Sequence, residues 1–222
     1  YLETLPVTVL SPENIEADDA MAYISQQVYP KSQCIIMSTD RDFLQLVDDR
    51  VQVWSPTKKK FYFKETIKEE FNIYSKNFLM YRVLTGDSSD DIPGIRGAGS
   101  KTLMKRLPIL FDEKKIQLND IFKYIEKSND GTKLSADILK SKDMLELNHQ
   151  LMQLDEVDIP GRTKQSILEI VQKPISKLTQ IKFLSMTLDD TLNLNIKNPQ
   201  LWLKDTFGKL DVFARRKDNE SK

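Results

Sequence analysis

Apolar and polar positions follow two different periods along this chain. Up to about residue 63, short apolar runs alternate with stretches of helical spacing, and from residue 64 onward the helical spacing continues almost to the end. The first pattern is typical of strands alternating with helices, which build a parallel or mostly parallel sheet. The second pattern is typical of amphipathic helices. The sequence therefore predicts an α/β region followed by a helical region.

Four short strands and two helices are predicted in the first region. The strands are at 7–10, 33–38, 51–54 and 60–63, and the helices are at 16–28 and 43–47. The 33–38 run is apolar through four residues, as in a strand buried on both faces. The runs at 51–54 and 60–63 flank Ser55-Pro56-Thr57 and indicate a hairpin.

Helices dominate the second region. They are predicted near 65–71, 75–85, 100–107, 118–127, 132–140, 142–154, 164–173, 176–187 and 199–210. The polar residues 215–222 are expected to be frayed.

Composition excludes several classes of protein. Apolar residues make up 40% of the 222 residues and charged residues 30%, which is ordinary for a globular protein. The 33 basic and 33 acidic residues cancel, which does not exclude a nucleic-acid partner if the charges are segregated. The single cysteine, Cys34, permits no disulfide within the chain and indicates a reducing compartment. No apolar run is long enough to span a membrane, and no leader precedes the first strand.

Three clusters of acidic residues border predicted strands or helices. They are Glu16-Ala17-Asp18-Asp19, Asp40-Arg41-Asp42, and Asp87 with Asp90 and Asp91. Because ligands of open α/β sheets collect beyond the carboxyl ends of the strands, we expect these side chains to converge. Their mutual repulsion calls for a hard cation, and Mg²⁺ suits such oxygen ligands. Two such ions would activate a water and stabilise the leaving oxygen of a phosphodiester.

Each cluster alone also has a simpler interpretation, as a solvated face or a helix cap. Asp40, for example, is placed to cap a helix that starts near Arg41. The three clusters together favour a metal centre. A site built from soft ligands is excluded, because the chain has one cysteine and one histidine, His149.

A glycine-rich turn follows the third acidic cluster directly. It runs Pro93-Gly94-Ile95-Arg96-Gly97-Ala98-Gly99-Ser100-Lys101 and leads into an apolar-periodic helix. Glycines 97 and 99 let backbone N–H groups approach a phosphate, and the start of the helix faces the same place. The spacing is not that of a P-loop. The turn therefore indicates binding to a nucleic-acid backbone without base recognition, or else a plain helix connection.

Taken together, three segments closely resemble the flap endonuclease and 5′–3′ exonuclease family. They are Glu16–Asp19, Ser38–Leu46 and Gly86–Gly99. The run Val53-Trp54-Ser55-Pro56, followed by Lys58-Lys59-Lys60, is most similar to the bacteriophage RNase H branch. The motifs span roughly residues 7–107 in family order, whereas residues 108–222 carry no recognisable motif.

The resemblance implies a PIN-like (resolvase-like), mostly parallel sheet core flanked by helices. It also implies a largely helical C-terminal domain with a helix–three-turn–helix element, at about 84–107, that binds duplex DNA. We accordingly expect the end of the nuclease core at 1–92 and a helical domain at 93–222.

Site residues carry over from the family position by position. The implied ligands of two Mg²⁺ or Mn²⁺ ions, which are also the catalytic residues, are Glu16, Asp18, Asp19, Asp40, Asp42, Asp87 and Asp90. Asp91 stands where many members have Asn and is left outside this set. The implied DNA-binding residues are Gly94, Arg96, Gly97, Gly99, Ser100, Lys101 and Lys105, with a K⁺ ion held by carbonyls of the turn.

The implied function is a structure-specific 5′ nuclease that removes RNA primers or flaps during DNA replication. Its expected partners are duplex or flapped DNA, an RNA–DNA hybrid and a single-strand-binding protein or clamp, in the cytoplasm of a bacterium or a phage-infected cell. Family members carry further acids and a basic helical arch upstream of Glu16, which these residues lack. We therefore expect a missing N-terminal segment or a separate polypeptide to complete the site, and weak metal binding and cleavage by this chain alone.

Two other functions compete with this one. The first is a non-catalytic duplex-binding module, although a pure binder gains only repulsion toward phosphate from so many carboxylates. The second is a phosphatase of the haloacid-dehalogenase type, suggested by Asp40-x-Asp42, which leaves the glycine-rich turn unexplained.

Overall fold

The computed structural model describes residues 1–189 and 196–220, with side chains described up to residue 212. These residues form two compact units: residues 1–15 with 159–222, and residues 16–158. All the predicted site residues belong to the second unit. The domain boundary predicted between residues 92 and 93 falls inside this unit and stays a prediction.

A small sheet forms the centre of the α/β region. It has the order β1 (Cys34–Met37), β2 (Val51–Ser55), β3 (Lys60–Tyr62). β1 pairs with β2 in parallel, with Ile36 opposite Val53, and β2 pairs with β3 in an antiparallel hairpin. The α/β class and the hairpin are confirmed. Among the described residues the sheet is mixed, with one parallel and one antiparallel pair, rather than mostly parallel.

The two faces of this sheet differ sharply in burial. One face is buried, with Ile36 at 5%, Val53 at 1% and Tyr62 at 4% exposure. On the other face Ile35 is 61% and Met37 is 68% exposed. The prediction that β1 is buried on both faces was therefore wrong for this chain, because apolar character alone does not say what covers a strand.

The strand predicted at 7–10 is absent. Residues 8–10 have no regular structure, and Thr8 and Val9 are exposed. A β-branched run becomes a strand only where a neighbouring strand takes up its backbone N–H and C=O groups, and no described strand lies beside this one.

Ten α-helices make up nearly half of the described residues. They are α1 (Ala17–Tyr23), α2 (Lys64–Phe71), α3 (Phe78–Thr85), α4 (Ser100–Arg106), α5 (Leu118–Ser128), α6 (Lys133–Lys140), α7 (Lys142–Met152), α8 (Gly161–Val171), α9 (Gln180–Asp189) and α10 (Pro199–Glu220). A π-helix, Ile24–Val28, continues α1, and a 3₁₀ helix, Asp42–Leu46, follows β1. The predicted helices are confirmed to within a few residues, except that α10 runs about ten residues past its predicted end at 210. The frayed tail expected at 215–222 is thus helical to Glu220, and residues 221–222 lie outside the described part.

Helix α3 is the central element of the second unit. Its residues Phe78, Val83 and Leu84 are fully buried. Helix α7 packs against it, and Asn148 of α7, 1% exposed, donates from Nδ2 to the carbonyl oxygens of Val83 (3.2 Å) and Pro93 (2.8 Å). A helix without any motif therefore fixes the segment where the acids and the glycine-rich turn meet.

The first unit has a core of its own. Leu5, Phe183 and Leu203 are buried together. The Trp202 ring lies 5.8 Å from the Phe183 ring between centroids, so Trp202 packs on this core, as expected for a structural tryptophan. No helix in the described ranges is long and apolar enough to cross a membrane.

Candidate active site

The second acidic cluster lies at the carboxyl end of β1. The Asp40 N–H donates to Ser38 Oγ (3.1 Å), and the Asp42 N–H donates to Asp40 Oδ1 (2.8 Å). These two bonds turn the chain from the strand into the 3₁₀ helix Asp42–Leu46. Asp40 thus acts partly as a local cap, one of the two roles that the sequence left open for it.

The first acidic cluster begins helix α1 and faces the second. Glu16 is the residue before the helix, and Asp18 and Asp19 lie in its first turn. Burial raises the pKa of Asp18 to about 6, with further contributions from Asp40, Glu16, Asp42 and Asp19 in that order. Burial also raises the pKa of Asp19, against a hydrogen bond from the backbone at Glu16. The predicted acids from these two clusters are therefore close enough to repel one another.

The third cluster lies on a loop, residues 86–94, whose two ends are joined by backbone contacts. Asp87 and Ile92 exchange two backbone hydrogen bonds of 2.9 and 2.8 Å. A Cβ atom at Gly94 would lie 2.0 Å from the Thr85 carbonyl oxygen, and one at Gly86 would lie 2.3 Å from the Gly94 nitrogen. Glycine is required at both positions because two backbone segments cross here. This crossing at Gly86 and Gly94, called the neck below, places Asp87 and Asp90 toward the end of β1.

Arg82 of α3 joins the second and third clusters. Its Nε donates to Asp42 Oδ1 (2.7 Å), and its Nη2 forms an ion pair with Asp87 Oδ2. Burial raises the pKa of Asp42, and Arg82 counteracts this only in part. Burial also opposes ionisation of Asp87, but hydrogen bonds from Ser89 and Arg82 outweigh it and lower the pKa of Asp87.

Sequence reasoning missed Arg82. The available signal was a single charged residue within the otherwise uncharged run Phe78-Leu79-Met80-Tyr81-Arg82-Val83-Leu84-Thr85 of α3. Such a charge in a buried helix needs a partner. The partner Asp42 lies 40 positions away, which the spacing along the chain does not reveal.

A crevice of about 350 Å³ opens between these segments. Its lining residues are Thr39, Asp40, Arg41, Arg82, Asp87, Ser89 and Asp90. Asp40, predicted after β1, and Asp87 and Asp90, predicted in the loop, thus share one cavity, whereas Glu16, Asp18, Asp19 and Asp42 are not among its lining residues. Asp90 in particular is exposed there.

The chemistry of this donor set fits a hard divalent cation. All the predicted ligands are carboxylates, and the raised pKa of Asp18 shows the electrostatic strain that a cation would relieve. The set is not a preformed coordination shell: among the side chains described, in residues 1–189 and 196–212, no three of His, Cys, Asp or Glu are placed to hold one ion. The cation between Asp42 and Asp87 in this structure is the Arg82 guanidinium.

The glycine-rich turn follows the loop 86–94 and enters α4. The Ile95 N–H donates to the Leu84 carbonyl oxygen (2.8 Å), and Gly97 has a positive φ of 84°. No described atom lies within 4 Å of an added Cβ at Gly97 or Gly99, so their outer surface is open. The basic residues predicted to bind DNA, Arg96, Lys101 and Lys105, are all exposed, and Ser100 is half-buried.

A larger cavity, of about 640 Å³, lies elsewhere in the second unit. Its lining includes Lys76, His149 and the ion pair between Lys115 and Asp155 (2.8 Å), but none of the predicted site residues. Burial lowers the pKa of His149. Cavity size therefore does not identify the acidic site, which is more open and smaller.

Comparison with known proteins identifies the family. Residues 1–72 match the family described as 5′-3′ exonuclease, N-terminal resolvase-like domain. The 5′-3′ exonuclease of Buchnera aphidicola subsp. Schizaphis graminum is 31% identical over 186 residues, covering 81% of this chain and 63% of that protein. These matches support the 5′-3′ exonuclease and flap endonuclease family for this chain.

Other members of the 5′-3′ exonuclease and flap endonuclease family match over shorter stretches. The flap endonuclease Xni of Shewanella halifaxensis is 30% identical over 146 residues, covering 65% of this chain and 55% of that protein. The 5′-3′ exonuclease of Aquifex aeolicus is 29% identical, covering 81% of this chain and 58% of that protein. The chain thus spans about 55–63% of the length of these relatives.

Solved structures of the family share the fold. The T5 D15 protein co-crystallised with metal ions aligns with a TM-score of 0.62 at 23% identity, covering 73% of this chain and 62% of that one. The T5 D15 flap endonuclease in complex with DNA and metal ions aligns with a TM-score of 0.60, also at 23% identity, covering 72% and 61% of the two chains. At this identity the likeness supports the α/β fold of the family, including its resolvase-like domain.

Proposed function

We propose that this chain provides most of a structure-specific 5′ nuclease, which hydrolyses phosphodiesters in flaps or primers during DNA replication. The observation that carries the proposal is the crevice in which Asp40, Asp87 and Asp90 meet beside a family-matched α/β core. Its substrates would be duplex or flapped DNA, or an RNA–DNA hybrid, and its site of action the cytoplasm of a bacterial or phage-infected cell. T5 relatives whose structures were solved with metal ions and with DNA support the choice of metal ions and DNA as the ligands of this chain.

Two Mg²⁺ or Mn²⁺ ions are the proposed cofactors. The residues that would hold them are Glu16, Asp18, Asp19, Asp40, Asp42, Asp87 and Asp90. Such ions would supply a bound water of lowered pKa and a positive charge for the leaving oxygen. The protein's own contribution would be to bring carboxylates from the end of β1 and from the loop to one crevice, with Asp18 of α1 close enough to interact with Asp40 and Asp42, and to hold Asp42 and Asp87 through Arg82.

The glycine-rich turn is the proposed DNA contact. We assign this role to Gly94, Arg96, Gly97, Gly99, Ser100, Lys101 and Lys105, as a helix–three-turn–helix element at about residues 84–107 that also binds K⁺. The open surface at Gly97 and Gly99 and the exposed lysines of α4, Lys101 in its first turn and Lys105 in its last, support it. Gly94 contributes differently: because it has no side chain, it allows the two backbone segments to cross at the neck.

A further polypeptide segment is the proposed partner of the sheet. It would add to the free edge of β1 and cover the face that carries Ile35, Met37 and Phe61, which are 61%, 68% and 36% exposed. Sheets with parallel strands are normally covered on both faces. This segment, continuous with the chain or separate, would complete the site; a single-strand-binding protein or a clamp stays a prediction without structural support.

The proposal is tested by metal binding and cleavage in matched variants. Asp90→Asn should weaken Mn²⁺ binding in a calorimetric titration, whereas Asp91→Asn, its neighbour outside the proposed ligand set, should not. A 5′-flap duplex should be cut weakly by this chain alone and more strongly once the completing segment is added. Equal Mn²⁺ affinity in both variants and the unchanged chain would contradict the metal-centre assignment.

A non-catalytic duplex-binding module is the second candidate. The observation that favours it is the lack of three acidic, His or Cys side chains poised around one ion in the described part of the chain. It predicts tight binding of duplex DNA that is independent of Mn²⁺, and no calorimetric signal from Mn²⁺ alone.

A further inference from the structure

Arg82 has an unusual electrostatic setting for a residue beside a proposed cation site. Its side chain is 10% exposed and pairs with Asp42 and Asp87, whose side chains are 15% and 14% exposed. Its Nη1 also donates to the Gly86 carbonyl oxygen (3.4 Å). The other charged groups lining the same crevice are Asp40, Arg41 and Asp90.

The ion pairs of Arg82 use one oxygen of each carboxylate. Asp42 gives Oδ1 and Asp87 gives Oδ2, while Asp87 Oδ1 accepts from the Ser89 N–H (2.9 Å) and the Ser89 hydroxyl (2.5 Å). Both oxygens of Asp87 are thus engaged by the protein itself. A divalent ion that uses Asp87 must share these oxygens with Arg82 and Ser89.

Because charge repulsion acts directly between a guanidinium and a divalent cation, it opposes metal binding at these carboxylates. Arg82 also orders the two carboxylates, which favours metal binding. The ordering effect is the smaller one, since an aspartate side chain has only two rotatable bonds to fix.

We propose that Arg82 is the resident counter-cation of the acidic site: it neutralises Asp42 and Asp87 and competes there with divalent metal. The proposal rests on the metal centre assigned under Proposed function and adds the residue that sets its affinity. Arg82 stabilises the metal-free protein and makes the site bind metal weakly. It acts on the carboxylates and is not assigned contact with substrate.

The test compares Mn²⁺ affinity in the absence of DNA, by calorimetric titration of the full chain. Arg82→Met keeps the aliphatic stem and removes the charge, and it should bind Mn²⁺ roughly tenfold more tightly. Arg82→Lys keeps the charge and should bind Mn²⁺ like the unchanged chain. Lys142→Met, which removes one positive charge from the surface pair with Glu126, is the control and should leave the affinity unchanged.

A second measurement is thermal unfolding with and without Mn²⁺. Metal-free Arg82→Met should unfold at a lower temperature than the unchanged chain, and saturating Mn²⁺ should narrow that difference. If Arg82→Met does not fold, Arg82→Gln replaces it, because its amide still donates to one carboxylate without carrying charge.

The possible outcomes separate the two proposals. Tighter Mn²⁺ binding in the neutral variants supports the counter-cation. Equal or weaker binding in those variants, with measurable binding in the unchanged chain, overturns it and leaves the metal centre standing. Absence of Mn²⁺ binding in every variant overturns both.

Discussion

The acidic residues of the site lie in two opposite electrostatic environments. Asp18 is half-buried, and the charged groups that raise its pKa to about 6, after burial itself, are other carboxylates. Asp87 has Arg82 and Ser89 beside it, and its pKa is lowered in spite of burial. Of these two acids, Asp18 is thus the one whose ionisation lowers the free energy of unfolding of the metal-free protein.

Asp18→Asn should stabilise the metal-free protein at neutral pH. The folded pKa of about 6 lies above the unfolded value of 3.8, so the folded state holds the extra proton and stability falls as pH rises between these values. Allowing for solvent screening, the gain at pH 7 is about 1 kcal/mol. Urea unfolding with a chelator should show a difference between variant and parent at pH 7 that disappears near pH 4.

The control for that experiment is Asp205→Asn, which removes a carboxylate from an exposed position on α10. It should show no such pH-dependent gain. A loss of stability in Asp18→Asn at pH 7 would mean that Asp18 makes a favourable contact that its raised pKa conceals.

At the level of elements, the loop 86–94 and the turn that follows it form one closed structure. The neck at Gly86 and Gly94 joins its ends, and the Ile95 N–H ties the turn to the last buried turn of α3. Acids and basic turn are therefore held at a fixed separation by backbone contacts rather than by side chains.

Gly94→Ala should break this neck. The added Cβ would meet the Thr85 carbonyl oxygen at 2.0 Å, so one of the two backbones must move, at a cost of about 2–3 kcal/mol. Gly99→Ala, in open space on the same turn, should change the free energy of unfolding by less than about 0.5 kcal/mol. Urea denaturation of both variants checks this, and similar losses in the two would show that the crossing is not rigid.

Lys101→Ala and Lys105→Ala should weaken duplex binding without changing stability. Each removes an exposed charge from α4, so the slope of log K against log salt should fall by about one per lysine. Fluorescence anisotropy with a labelled duplex at several salt concentrations measures it. Lys127→Ala, at the end of α5, is the control and should keep the parent slope.

The sequence predicted the features that depend on residues close together along the chain, and it missed those that depend on residues far apart along the chain. Helix positions followed from local periodicity, and the acids of the crevice from motifs that are short in sequence. The glycine argument covered only the approach of a phosphate to Gly97 and Gly99, which stays a prediction, and it missed the close backbone contact at Gly86 and Gly94. The crossing of two backbones and the Arg82 ion pairs are tertiary contacts, which no local pattern encodes.

At the scale of the whole molecule, one face of the sheet is buried and the other is exposed among the described residues. The register places Met37, Trp54 and Phe61 in one row across the three strands, and the Trp54 and Phe61 ring centroids are 4.6 Å apart. Exposed apolar rows of this kind mark surfaces that bind another polypeptide. This explains why the prediction for β1 was wrong. Its apolar sequence fits a strand that is covered on both faces, but none of the described residues covers the second face.

Lysine substitutions should distinguish the two faces. Ile35→Lys and Met37→Lys should change the free energy of unfolding of this chain by less than about 0.5 kcal/mol, since both side chains are more than half exposed. Ile36→Lys, between them and 5% exposed, should unfold the protein because it buries an unpaired charge. Circular dichroism during thermal unfolding measures this; a large loss in Ile35→Lys would show that its face is already covered.

The side-chain amide of Asn148 sets a lower limit on how short this chain can be while the loop keeps its anchor. Every recognisable motif ends by about residue 107, yet the donor for the Pro93 and Val83 carbonyl oxygens stands 41 positions further on, on α7. A version trimmed to its signature segments would keep the acids and glycines of those segments while the Val83 and Pro93 carbonyl oxygens lose the Asn148 donor. The anchoring amide of Asn148 therefore limits where the helical half can be shortened.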